Sequence, residues 1–109
     1  MKIIRIKLEY DCFPVWIYND NNELIENDLP PYLIGDADID PIFVHIQEIF
    51  DSLYLNDGKE FRYIGFRNQE QQELFGKELS LAMNMLKSKL NSEYIIDESF
   101  NLLKNYIKD

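Results

Sequence analysis

Apolar and charged residues alternate along Ile4-Arg5-Ile6-Lys7-Leu8-Glu9-Tyr10, the pattern of a strand with one buried face. Phe13-Pro14-Val15-Trp16-Ile17-Tyr18 is aromatic and β-branched and predicts a second strand. Pro14 belongs at its start or on an edge, because proline donates nothing to a ladder. Asn19-Asp20-Asn21-Asn22 is turn chemistry, since Asn and Asp tolerate left-handed backbone and bond their own chain. Glu23-Leu24-Ile25-Glu26 reads as the return strand. The chain opens as a meander.

Pro30-Pro31 interrupts regular structure, and a helix follows. Asp40 is its expected N-cap, with Pro41 in the first turn, where a missing N–H loses no hydrogen bond. Ile42, Ile46, Ile49, Phe50 and Leu53 share one helical face, and the helix is expected to stop near Asn56-Asp57-Gly58. Glu60-Phe61-Arg62-Tyr63-Ile64-Gly65-Phe66 reads as another strand. A long helix is predicted from about Asn68 to Leu90, with Phe75, Leu79, Ala82, Leu86 and Leu90 as its core stripe. Leu74, Leu81 and Met85 form a second stripe about 120° away. That stripe needs a cover: the final helix in a monomer, which is the expected state, or a second copy in a homodimer. Tyr94-Ile95-Ile96 predicts a short strand, and Asp97 a cap for a last helix through Phe100, Leu103 and Tyr106. The fold class is α+β: a largely antiparallel sheet, opened by the N-terminal β-meander, with two to three helices packed on one face.

A chain of 109 residues holds one domain, 1–109, since two would each be too small for a core. With 46% apolar residues, seven Phe, seven Tyr and Trp16, core material is plentiful, and disorder is not expected despite the charge. Cys12 is the lone cysteine and no internal disulfide can form. The N-terminal alternation is unlike a signal peptide, and no apolar run reaches the ~20 residues of a membrane helix. A cytoplasmic location and no membrane partner are expected.

Charge is unevenly placed. The net value is −9, yet residues 1–10 carry +2, residues 11–60 carry −11, and residues 61–109 are neutral. A segregated field of this kind steers association with a partner of opposite sign. It also opposes direct nucleic-acid binding, which needs an excess of bases.

Catalysis finds little to work with. His45 is the only histidine, flanking the core face of the first helix near Glu48 and Ser52, and no Ser or Cys stands in an elbow-like glycine setting. Asp36-x-Asp38-x-Asp40 begins like a calcium loop, but Pro41 and Gln47 occupy the positions that require glycine and glutamate. One Cys and one His are too few for a transition-metal site. Glycine-rich phosphate motifs are absent, so no cofactor is expected. Carboxylate pairs suited to hydrolysis are not excluded by residue type.

Binding remains. The first helix presents Val44, Glu48 and Asp51 outward, with Asp36, Asp38 and Asp40 at its start and Asp57 and Glu60 past its end. Val44 is an apolar residue among acids, and Tyr54 could supply an aromatic anchor. An acidic surface with an apolar centre suits a basic protein partner.

Three stretches carry a resemblance: Met1–Tyr10 with Cys12-Phe13-Pro14-Val15-Trp16, Glu23–Pro30, and Asp51–Gly58. They look like small proteins of low-GC Gram-positive bacteria, which in turn resemble immunity proteins of polymorphic toxin systems. The resemblance implies a non-enzymatic cytoplasmic inhibitor that occludes a toxin domain, with no catalytic residue to carry over. Two alternatives stay open. One is a phage-encoded nucleic-acid mimic of anti-CRISPR type; the other is a small carboxylate-dependent hydrolase.

Overall fold

The computed structural model describes residues 1–97. Strand β1 (Lys2–Ile6) pairs antiparallel with β2 (Val15–Tyr18), setting Ile4 opposite Ile17 and Ile6 opposite Val15. The alternation read from the sequence therefore becomes one buried row of β-branched side chains. Asn19 closes the next turn: its Oδ1 accepts from the backbone N–H of Asn21 and of Glu23, both at 2.9 Å, and Asn22 takes a positive φ of 63°. Strand β3 (Leu24–Glu26) then returns along β2.

The fourth strand of this sheet comes from the far end of the chain. Strand β6 (Tyr94–Ile96) runs parallel to β1, with Ile96 opposite Ile4, giving the order β3-β2-β1-β6. Beyond it, Asp97 donates its N–H to the Ile4 carbonyl at 2.8 Å and accepts from Arg5 Nε at 2.9 Å.

Helices α1 (Ile39–Asp51) and α2 (Gln69–Lys89) cover one face of the sheet. Phe43, Ile46 and Phe50 from α1 join Phe75, Leu79, Ala82 and Leu86 from α2 over Ile4, Ile6, Val15 and Ile17 in a single core. The other face carries cations over rings: Arg5 lies 4.5 Å from the Tyr18 ring centroid and Lys7 lies 4.8 Å from that of Trp16. The protein is thus α+β, with a mostly antiparallel sheet opened by a meander.

Two expectations need correction. First, α1 starts at Ile39, so Asp40 lies within its first turn. The first turn's amides are met instead by Asp36, whose Oδ1 accepts from Asp38 N and Ile39 N at 2.9 and 3.0 Å. Asp40 reaches back to the Gly35 N–H at 2.7 Å. Second, α1 ends at Asp51, several residues early. Leu53 stays buried, but Tyr54–Asn56 is a strand, β4, paired with β5 (Phe61–Tyr63) as a separate hairpin. The Asn56-Asp57-Gly58 signal is that hairpin's turn: Asp57 Oδ1 accepts from Lys59 N and Glu60 N, and Gly58 adopts a φ of +84°. Leu74 and Leu81 are 56% and 55% exposed on α2 and Met85 is half-buried, and neither cover expected for this stripe falls among the described residues. The last helix expected from Asp97 lies outside the described residues.

Candidate protein-binding face

The outward face of α1 is built on a four-residue repeat: Asp40, Val44 and Glu48 stack one turn apart. With Asp36, Pro41 and His45 they line an open depression of about 380 Å³, into which Val44 projects at 41% exposure. Its lining combines the apolar Ala37, Pro41 and Val44 with the carboxylates of Asp36, Asp40 and Glu48.

The carboxylates are not equivalent. Two backbone N–H donors, from Ile39 and Asp38, hold the Asp36 carboxyl below the usual range, and Lys89 adds to the effect. Lys89 Nζ lies 3.2 Å from Asp36 and 3.6 Å from Asp38, and its own pKa is raised by the hydrogen bond to Asp36. These two acids therefore tie the start of α1 to the end of α2. Glu48 is different: its carboxylate has no hydrogen-bonding or ion-pair partner among the described residues.

The lowered Asp36 value gives a pH prediction. A depressed folded-state pKa contributes stability that is fully present above the ordinary aspartate value of about 4, and lost as pH falls through the folded value. Asp36→Asn keeps the acceptor and removes the charge, so it should lower the thermal midpoint at neutral pH and flatten the acid limb. Midpoints measured from about pH 7 to about pH 2 check this. A variant whose acid limb follows the wild type would deny Asp36 the role.

The remaining residues expected at the face stand apart from the depression. Asp51 Oδ1 accepts the Asp11 N–H at 2.8 Å, pinning the β1–β2 loop to the end of α1. Tyr54 is the middle of an aromatic cluster: it stacks on Phe61 at 5.2 Å and meets Phe50, Tyr10 and Tyr63 edge-on at 5.4, 5.5 and 5.2 Å. Asp57 is held below the usual carboxylate range by the Lys59 and Glu60 amides, and Glu60 pairs with Arg62 at 3.1 Å. Thus Asp36, Asp40, Val44 and Glu48 converge, with Asp38 exposed on the same loop; Asp51, Tyr54, Asp57 and Glu60 do not join them.

No family model, curated protein or solved structure matches the chain. The functional reading therefore rests on geometry and chemistry.

His45 sits in a constellation that a single-helix reading misses. Its Nδ1 meets Glu78 Oε1 on α2. Beside this pair, Ile49, Leu53, Leu74 and Phe75 line a more enclosed cleft, also about 380 Å³. Ser52 shares the cleft, but it stands seven residues from His45, roughly 10 Å along the helix, and its Oγ donates to the Ile49 carbonyl at 2.6 Å. That spacing does not make a serine–histidine nucleophile.

Cys12 is a poor nucleophile for a different reason. Burial pushes its thiol up, and Glu9, Asp11 and Asp51 push the same way. We expect iodoacetamide to modify Cys12 at neutral pH more slowly than free cysteine, because the thiolate is the reactive form. Faster modification would show that neither burial nor the neighbouring acids hold this thiol protonated. Among the described residues, no helix is long and apolar enough to cross a membrane, and no group of three or more His, Cys, Asp and Glu side chains could hold a metal ion.

Proposed function

We propose that this chain is a non-catalytic inhibitor that binds a basic protein domain, acting in the cytoplasm as an immunity protein acts on its toxin. The observation that carries the reading is the α1 depression, where an exposed Val44 lies among carboxylates of which Glu48 has no partner among the described residues. Apolar contact at the centre with like charge at the rim is the arrangement of a protein interface whose partner is cationic. The segregated charge supports it, since the −11 segment, residues 11–60, contains α1.

The test is affinity capture from the source organism, with the wild-type and Glu48→Lys chains side by side. The reading requires a basic protein that the wild type retains, that salt elutes, that the variant loses, and whose own activity the wild type inhibits. A partner held equally well by the variant would rule it out.

A further inference from the structure

The depression and the α1–α2 cleft adjoin, because both are walled by His45. Their unmet demands differ. Among the described residues, Glu48 has no counter-charge in the depression, and no Lys or Arg lines the space. In the cleft, the polar groups are already engaged: His45 with Glu78, Ser52 with the Ile49 carbonyl, and Gln71 Oε1 with the Arg67 N–H at 3.1 Å. What remains open there is apolar, a floor of Ile49, Leu53 and Phe75 with Leu74 exposed beside it. Each volume is near the lower end of the roughly 300–1,000 Å³ typical of ligand pockets, a size suited to single large side chains.

The α1 contributions centre near Val44 and Ile49, five residues apart, about 7.5 Å along the axis. An extended chain covers about 7 Å in two residues and about 10 Å in three. We infer that the partner inserts one extended segment across His45, with a Lys or Arg in the acidic depression and a bulky apolar residue, two or three positions away, in the cleft. The inference rests on the reading of α1 as a protein-binding face and adds the chemistry and spacing of what it binds. The aliphatic stem of the cation lies along Val44 and Pro41 while its charge meets Glu48 and Asp40. The apolar residue covers Leu74. His45, fixed by Glu78, is the wall between them.

Two blocked peptides, Arg-Ser-Leu and Arg-Ser-Ser-Leu, are the probes, titrated to about 10 mM into the ¹⁵N-labelled full chain. Glu-Ser-Ser-Leu and Arg-Ser-Ser-Ser serve as controls. Amide shifts are expected within residues 36–53 and 71–78 for at least one probe. Glu48→Lys and Leu74→Asp should each weaken that probe at least about fivefold, and Arg-Ser-Ser-Ser should be indifferent to Leu74→Asp. If Glu48→Lys weakens the probe and Leu74→Asp does not, the protein-binding reading stands and the two-compartment inference falls. If neither variant matters, or no amide in those ranges moves, both fall. If sedimentation shows a self-associated chain that Leu74→Asp disperses while probe affinity is unchanged, a second copy owns the cleft and the inference is overturned.

Discussion

Glu48→Lys should slow association with the basic partner proposed for this face by about tenfold at low salt, with a much smaller change in dissociation. The single substitution is sufficient because Glu48 is the depression's carboxylate with no partner among the described residues, whereas Asp36 is bound to Lys89 and Asp40 to the Gly35 amide. Reversal replaces an attraction with a repulsion at the point of encounter. The thermal midpoint should scarcely move, since exposed changes of this kind usually alter stability by no more than about 0.5 kcal/mol. Glu73→Lys is the control; Glu73 accepts from Gln69 on α2, in the neutral half of the chain. Raising salt from about 50 to about 500 mM shortens the screening length from roughly 14 to roughly 4 Å and should erase most of the difference. Stopped-flow rates that are flat with salt, or equal for the two variants, would reduce the acidic half to a solvated surface.

Phe43→Ala should remove about 3–5 kcal/mol of stability, a large share of the roughly 5–15 kcal/mol available to a domain. Phe43 is 0% exposed, faces the sheet, and lies 6.1 Å from the ring of Phe13. Its deletion leaves a cavity between α1 and the meander that neither element can close without giving up other contacts. A fall in thermal midpoint of at least about 12 °C follows. The adjacent Val44→Ala should change stability by no more than about 0.5 kcal/mol while hastening dissociation from the partner. Urea unfolding of the two variants gives the comparison directly. Similar losses from both would mean that α1 does not present these faces as described.

The local parts of the fold were legible because their causes are local. Alternation at Ile4 and Ile6 and the amide-bonding side chain of Asn19 act within a few residues, so the meander followed from the sequence. Tyr94-Ile95-Ile96 was readable as a strand, but its position beside β1 depends on residues 92 places away in the chain. The end of α1 failed for a related reason. Leu53 continues the spacing of Ile46 and Phe50 and is buried with them, yet it reaches the core from a backbone that has already left the helix. Periodicity reports which side chains are buried and is blind to how the chain carries them there. The same limit shaped the site. A helical wheel put Val44 and Glu48 on one outward face, but it added Asp51 and left Asp40 as a cap, and it could not place the Asp11 amide against Asp51, the rings around Tyr54, or Glu78 against His45.

The central place of β1 also governs when this protein can finish folding. A hairpin such as β1–β2 forms within about 1–10 μs, but a ribosome adds only about 5–20 residues per second. Some 90 residues separate Lys2 from Tyr94, its partner in β6. The nascent meander therefore waits roughly 5–20 s with one flank of β1 unpaired, its N–H and C=O groups open to any other strand. Growth in conditions that slow translation lengthens that interval, and with it the period in which this flank of β1 stands open.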